Sequence, residues 1–132
     1  MKISRIPQSV FVMIIKVDKM KIKVFQCLYF SWSANIVGRK KWMFLLPGEE
    51  DKLRDPLGNL VFDLESAEAA ELAETREVVR IEVIQEAGEV VFVPSGWFHQ
   101  VHNLEDTISI NHNWFNGTNI ISVVESLNLE LR

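Results

Sequence analysis

Apolar residues in this chain come in short stretches, each stopped by glycine, proline or a polar turn, and this punctuation leaves little room for long helices. Residues 20–24 alternate, with Met20, Ile22 and Val24 on one face and Lys21 and Lys23 on the other, which predicts a strand. Residues 31–37 and 41–46 are two further extended stretches, separated by Gly38-Arg39-Lys40 and ended by Pro47-Gly48. Residues 80–85 alternate again, 86–89 read as a tight turn, and 90–93 form a β-branched and aromatic run stopped by Pro94, so a hairpin is expected here. Residues 99–103 and 107–113 supply two more strands, joined by Leu104-Glu105-Asp106. Strands at such short, regular intervals belong to a sandwich or a barrel.

Helical signals are few. Ser66 reads as the N-cap of an acidic helix over 67–77, rich in alanine and glutamate. Residues 118–131 place Ile120, Ile121, Val123, Val124 and Leu127 largely on one stripe, with Asn116 or Thr118 as cap, and predict a short amphipathic helix on the outside of the domain. Residues 47–59, polar and punctuated by Pro56 and Gly58, read as a surface loop.

The 132 residues suffice for one small domain with a core of its own. A hydrophobic share of 48% and a charged share of 24% exclude a disordered or low-complexity chain. A net charge of -4 and a pI near 5.4 argue against a general nucleic-acid binder. The longest apolar run, residues 10–15, falls far short of the ~20 residues that cross a bilayer, so neither a membrane span nor export is expected. The lone Cys27 allows no internal disulfide, which suits the cytosol or the nucleus. Charge is uneven: residues 1–30 hold six bases against Asp18 alone, whereas 43–90 hold thirteen acids against four bases.

All three histidines, His99, His102 and His112, lie close together near the C-terminus. On strands they do not converge. His99 shares a face with Val101 and Asn103 while His102 points the other way, and Asn111 and Asn113 share a face that His112 opposes. Neither their spacing nor this alternation suits a three-histidine zinc site. There is no Gly-rich phosphate loop and no nucleophile elbow. Trp97, Phe98 and Trp114 read as core packing, and Lys40, between Arg39 and Lys41, as one of three solvated loop cations. On residues alone the chain is a small β-rich domain.

Three ordered motifs go further. The stretches 31–42 (SWSANIVGRKKW), 86–99 (EAGEVVFVPSGWFH) and 107–114 (TISINHNW) resemble the second half of a JmjC (jumonji) domain. The resemblance implies a mainly β fold, the double-stranded β-helix or cupin-like jelly roll of Fe(II)- and 2-oxoglutarate-dependent oxygenases, here incomplete at its N-terminus. It implies His99 as the distal iron ligand and Lys40 as the cation that pairs with the far carboxylate of 2-oxoglutarate. By the same matching Asn111 and Asn113 face the cosubstrate or metal, and Ser33 makes a polar cosubstrate contact. Members most like this chain act as hydroxylases of a lysine side chain in a translation-termination factor, which would make the partner a protein and not a nucleic acid or a membrane.

The match fails where the family carries its His-x-Asp or His-x-Glu iron ligands, because those positions fall on Lys23 and Phe25. An ammonium repels Fe(II), phenylalanine has no donor atom, and the upstream chain has no histidine; Asp18 is its one acid. The abrupt change near Phe30 suggests an atypical basic segment over 1–30 in a truncated or alternatively begun form, followed by the C-terminal part of a JmjC domain over 31–116 and a helix over 117–132. Three functional readings stay open: an active oxygenase, a non-catalytic cupin-like binding module, or an incomplete product without function.

Overall fold

The computed structural model describes residues 10–15, 25–26 and 28–130. Among the described residues eight strands run in chain order: β1 (Val10–Ile15), β2 (Phe25–Gln26), β3 (Phe30–Val37), β4 (Lys40–Leu45), β5 (Arg80–Gln85), β6 (Val90–Val93), β7 (Phe98–Asn103) and β8 (Thr107–Trp114). They form two antiparallel sheets, a larger one in the order β1-β8-β3-β6 and a smaller one in the order β2-β7-β4-β5. This is the jelly-roll arrangement, and the fold is mainly β with two α-helices, α1 (Ala67–Thr75) and α2 (Ile120–Glu130). The strand expected over 20–24 lies outside the described residues, whereas the apolar run 10–15 pairs along its whole length with β8.

The chain passes from one sheet to the other at almost every turn. β5 and β6 therefore do not form the expected hairpin: β5 pairs with β4 in the smaller sheet and β6 with β3 in the larger. The tight turn is present, with Gly88 at φ 88 and Glu89 N–H donating to Glu86 C=O, but it bridges the sheets. Only β4 and β5 follow one another within a single sheet, and the segment 46–79 separates them.

That segment explains why β4 reads as an unbroken apolar run after its lysines. Trp42 and Phe44 point between the sheets, where they pack with Val93 and Val101. Met43 and Leu45 point outward and are covered by Leu53, Val61, Leu64 and Ala69. The stretch 47–59 is thus more than a surface loop. It holds a 3-10 turn, Glu49–Leu53, whose last residue is 1% exposed, because the outer face of the smaller sheet is apolar and needs a cover. Ser66 caps α1 as its sequence predicts, its hydroxyl accepting from Ala69 N–H at 3.1 Å. The helix stops at Thr75, two residues short of the acidic run, where Arg76 closes it and Glu77 takes a left-handed φ of 51.

Helix α2 carries the expected stripe only in part over its described side chains, and that of Leu127 lies outside them. Val123 is buried, but Ile121 and Val124 are exposed. Asn116 organises its approach, its side-chain oxygen accepting from Thr118 N–H at 2.9 Å. Asn119 ties the helix start to the barrel, donating to Leu28 C=O and to Ser95 Oγ.

Gly38 sets the turn that sends the chain from β3 into β4. Its φ of 80 suits glycine, and a Cβ there would run into the Asp106 carbonyl and the Thr107 methyl. Replacing it costs both backbone strain and a displaced β7–β8 loop. Gly38→Ala is expected to destabilise the domain by about 2 kcal/mol or more, read as a lowered midpoint in urea unfolding; an unchanged midpoint would show that the loop yields freely.

Candidate functional site

The Arg39-Lys40-Lys41 triplet does not stay together in solvent. β4 begins at Lys40, one residue earlier than the sequence reading, and strand alternation then sends neighbouring side chains to opposite faces. Arg39, still in the turn, pairs with Glu105 at the surface. Lys41 points outward to Glu65 (2.8 Å) and Glu82 (3.0 Å). Lys40 turns inward and is 4% exposed.

Register arranges the inner face of the smaller sheet in cross-strand rows. One row holds Gln85, Lys40 and Asn103, the next Val83, Trp42 and Val101, and the third Ile81, Phe44 and His99. Phe25 of β2 stands opposite His99, so the third row continues into that strand. The lysine row and the histidine row are four residues apart along β4, or roughly 13 Å at strand rise. Across from them, Ser33 pairs in register with Asn111 and Val91, and Ser31 with Asn113 and Val93. Gln85 links the two surfaces: it accepts from Trp42 Nε1–H at 2.8 Å and donates to Ser33 C=O at 2.8 Å and to Glu89 C=O at 3.0 Å.

Burial shapes the two ionisable groups. His99, 3% exposed, lies against the Trp42 and Phe44 rings at centroid distances of 5.8 and 5.7 Å. Desolvation pushes its pKa down to about 4, against the weaker opposing contact of Nδ1 with Trp97 C=O at 3.4 Å. The imidazole is therefore neutral at physiological pH, the form that binds a metal. Burial alone pushes the Lys40 ammonium down to about 8, which leaves it charged at pH 7. Glu65 and Glu82, the carboxylates of the adjoining outer face, are taken by Lys41.

The polar groups between the sheets divide into two sets. Asn35 donates to Gly38 C=O and accepts from Ser109 Oγ, Gln85 is fully engaged, and Ser31 Oγ donates to Asn113 Oδ1 at 2.6 Å. Ser33 Oγ and Asn103 Nδ2, both buried, have no hydrogen-bond partner among the described residues. Such groups are stable only if something completes them.

Lys40, His99, Ser33 and Asn111 thus lie on the facing inner surfaces, where the resemblance puts them. Asn113 shares the inward register but is exposed and bonded to Ser31. His102 faces outward, its Nδ1 2.9 Å from Glu65, and His112 lies on the far side of the larger sheet beside Trp32 and Trp114. The solvated-loop reading of Lys40 is corrected: the strand starts early enough to bury it. Trp97 packs against the inner core as expected, while Phe98 packs under the 46–79 cover. Asn103 is the residue that sequence reasoning passed over, although alternation had already put it on the face of His99.

A cationic lysine with buried, uncompleted donors nearby suits a dianionic cosubstrate such as 2-oxoglutarate. Iron is another matter. Among the described residues no group of three or more His, Cys, Asp or Glu side chains is placed to hold a metal ion, and the register position opposite His99 is a phenylalanine. Lys23 and Asp18 lie outside the described residues. The described residues therefore do not by themselves make an iron site.

The chain has recognisable relatives among known proteins. The cupin-like domain family matches over residues 26–119. The chain is 55% identical to the 2-oxoglutarate and iron-dependent oxygenase JMJD4 of Mus musculus over 107 residues, covering 78% of this chain and 25% of that protein. It is 53% identical to the protein of the same name from Homo sapiens over 109 residues, covering 77% and 25%. It is 48% identical to the arginine-specific demethylase JMJ20 of Arabidopsis thaliana over 93 residues, covering 69% and 20%. The chain spans about a quarter of the length of the curated relatives it matches.

Because the folded pKa of His99 lies below its ordinary value of 6.5, the unfolded chain takes up a proton first as pH falls. Stability from this residue is complete above about 6.5 and is lost toward 4, by about 2–3 kcal/mol in all. His99→Phe, which keeps the stack on Trp42 and Phe44, should flatten that part of the profile. Equal pH dependence of urea unfolding in the two proteins would refute the assignment.

Proposed function

The chain belongs to the cupin-like domain family, and on that premise we propose that it carries the cosubstrate pocket of a JmjC-type 2-oxoglutarate- and iron-dependent protein oxygenase, and that as written it binds 2-oxoglutarate without oxidising it. The observation that carries this reading is Lys40: a buried cation on an inner strand face, on the same face as a neutral, buried histidine. A buried charge is tolerated when a counter-charge arrives, and a dicarboxylate brings one. The far carboxylate of 2-oxoglutarate takes Lys40 and the Ser33 hydroxyl, and its 2-oxo acid end points along the Trp42–Val101 row toward His99. The missing donors at 23 and 25 are why we assign binding, and no turnover, to this chain.

For the substrate of the complete site we propose a basic side chain of a protein, specifically a lysine of a translation-termination factor, on the strength of the resemblance in the three motifs. The relative named an arginine-specific demethylase supports the broader class, a cationic side chain.

Binding and turnover separate cleanly in experiment. 2-Oxoglutarate should raise the melting temperature of the unmodified chain, and Lys40→Met should abolish that rise. The same substitution should stabilise the free protein by about 1–2 kcal/mol, since it removes a buried unpaired charge, a figure already reduced for solvent screening. A melting response that survives Lys40→Met, or none in the unmodified chain, would overturn the pocket assignment.

Decarboxylation of 2-oxoglutarate with Fe(II) and ascorbate tests the second half. The unmodified chain should be silent, and the double variant Lys23→His, Phe25→Asp should turn over until His99→Ala is added. Turnover in the unmodified chain that vanishes with His99→Ala would mean that another group completes the metal site.

A further inference from the structure

We infer that Asn103 is a second anchor for the far carboxylate of the cosubstrate, acting beside Lys40 and setting selectivity for a dicarboxylate over a monocarboxylate. The inference rests on the pocket reading above. Asn103 is the register partner of Lys40 across the β4–β7 ladder, so both side chains leave the same face of the sheet at the same depth. Directly opposed residues have Cβ atoms about 5 Å apart, which brings an amide and an ammonium within reach of one carboxylate group.

The amide has no other employment. Among the described residues Asn103 Nδ2 is buried with no hydrogen-bond partner, whereas the buried amides of Asn35 and Gln85 are bonded. Leaving a buried N–H unmade costs about 1–3 kcal/mol, a penalty that a ligand oxygen would remove. Gln85, on the other side of Lys40 in the same row, is held by Trp42 and by Ser33 C=O and so has no donor left to offer. The row therefore presents one ammonium and one amide, and Ser33 Oγ adds a hydroxyl from the facing sheet. A monocarboxylic 2-oxo acid of equal length would leave all three donors buried and unmade.

The test is isothermal titration of the unmodified chain, Asn103→Leu, Lys40→Met and the double variant with 2-oxoglutarate, and of the first two with 2-oxopentanoate. Leucine keeps the volume and removes the donor. Asn103→Leu should weaken 2-oxoglutarate about tenfold, as expected for one hydrogen bond to a charged group, and leave the weaker 2-oxopentanoate unchanged. In the double variant the two effects should not add, because both residues hold one carboxylate. Unchanged 2-oxoglutarate affinity in Asn103→Leu, with binding still lost in Lys40→Met, would overturn this inference and leave the pocket reading standing. Equal weakening of both ligands would make Asn103 structural. No binding by the unmodified chain would defeat both. Asn103→Gln, which restores an amide on a longer stem, should recover part of the affinity and controls for misfolding.

Discussion

Strand β4 has no solvated face, because Trp42 and Phe44 fill the space between the sheets while Met43 and Leu45 sit under the 46–79 segment, and a strand so enclosed admits a charge only where a counter-charge can reach it. Lys40 is that charge. Its depth is set by the Gly38 turn, its direction by the alternation of β4, and its lack of a carboxylate by Lys41, which holds Glu65 and Glu82 on the opposite face. Two adjacent lysines thus do unlike work. One clamps the cover to the sheet, and the other waits inside.

The interior is polar at one end and aromatic at the other. Gln85 bonds Trp42 and the Ser33 and Glu89 carbonyls, and Asn35 bonds Ser109 and the Gly38 carbonyl, so these amides are architecture. Ser33 Oγ and Asn103 Nδ2 are left over, and with Lys40 they mark where a ligand belongs. Toward the other end, His99 is stacked among Trp42 and Phe44 and kept neutral by desolvation. Metal-ligand chemistry would need donors beside it, and the position opposite it in register, 25, is a phenylalanine.

Much of this was legible from the sequence. The six strands from β3 to β8 follow from alternation and from glycine and proline punctuation, and the shared face of His99, Val101 and Asn103 follows from period two alone, though not which way it points. The pairing of those strands did not. A tight turn over 86–89 looks local, but β5 and β6 each find better partners in β4 and β3, and no window of sequence contains that preference. Leu53 was hidden for a like reason: its neighbours are charged, and only the bare outer face of β4 explains why it is buried. The site residues His99, Lys40 and Ser33 came from resemblance and not from periodicity, since a lysine in a basic triplet carries no sign of the turn that buries it. Asn103 could have been found by pairing the two strands on paper, had their partnership been known.

The strand pairings nest inside one another: β4 with β5, β3 with β6, β2 with β7, β1 with β8. A chain paired in this way closes like a zip whose slider starts at the 46–79 segment. Loop-closure entropy makes the innermost pairing the least expensive and each outer one affordable only after the one before it has shortened the remaining gap. Of the described strands, β1 is then the last to be captured, because its partner β8 follows all the others in the chain. Until that moment the apolar β1 has no edge to join, and the inner rows that hold Lys40 and Asn103 can be assembled before it is seated.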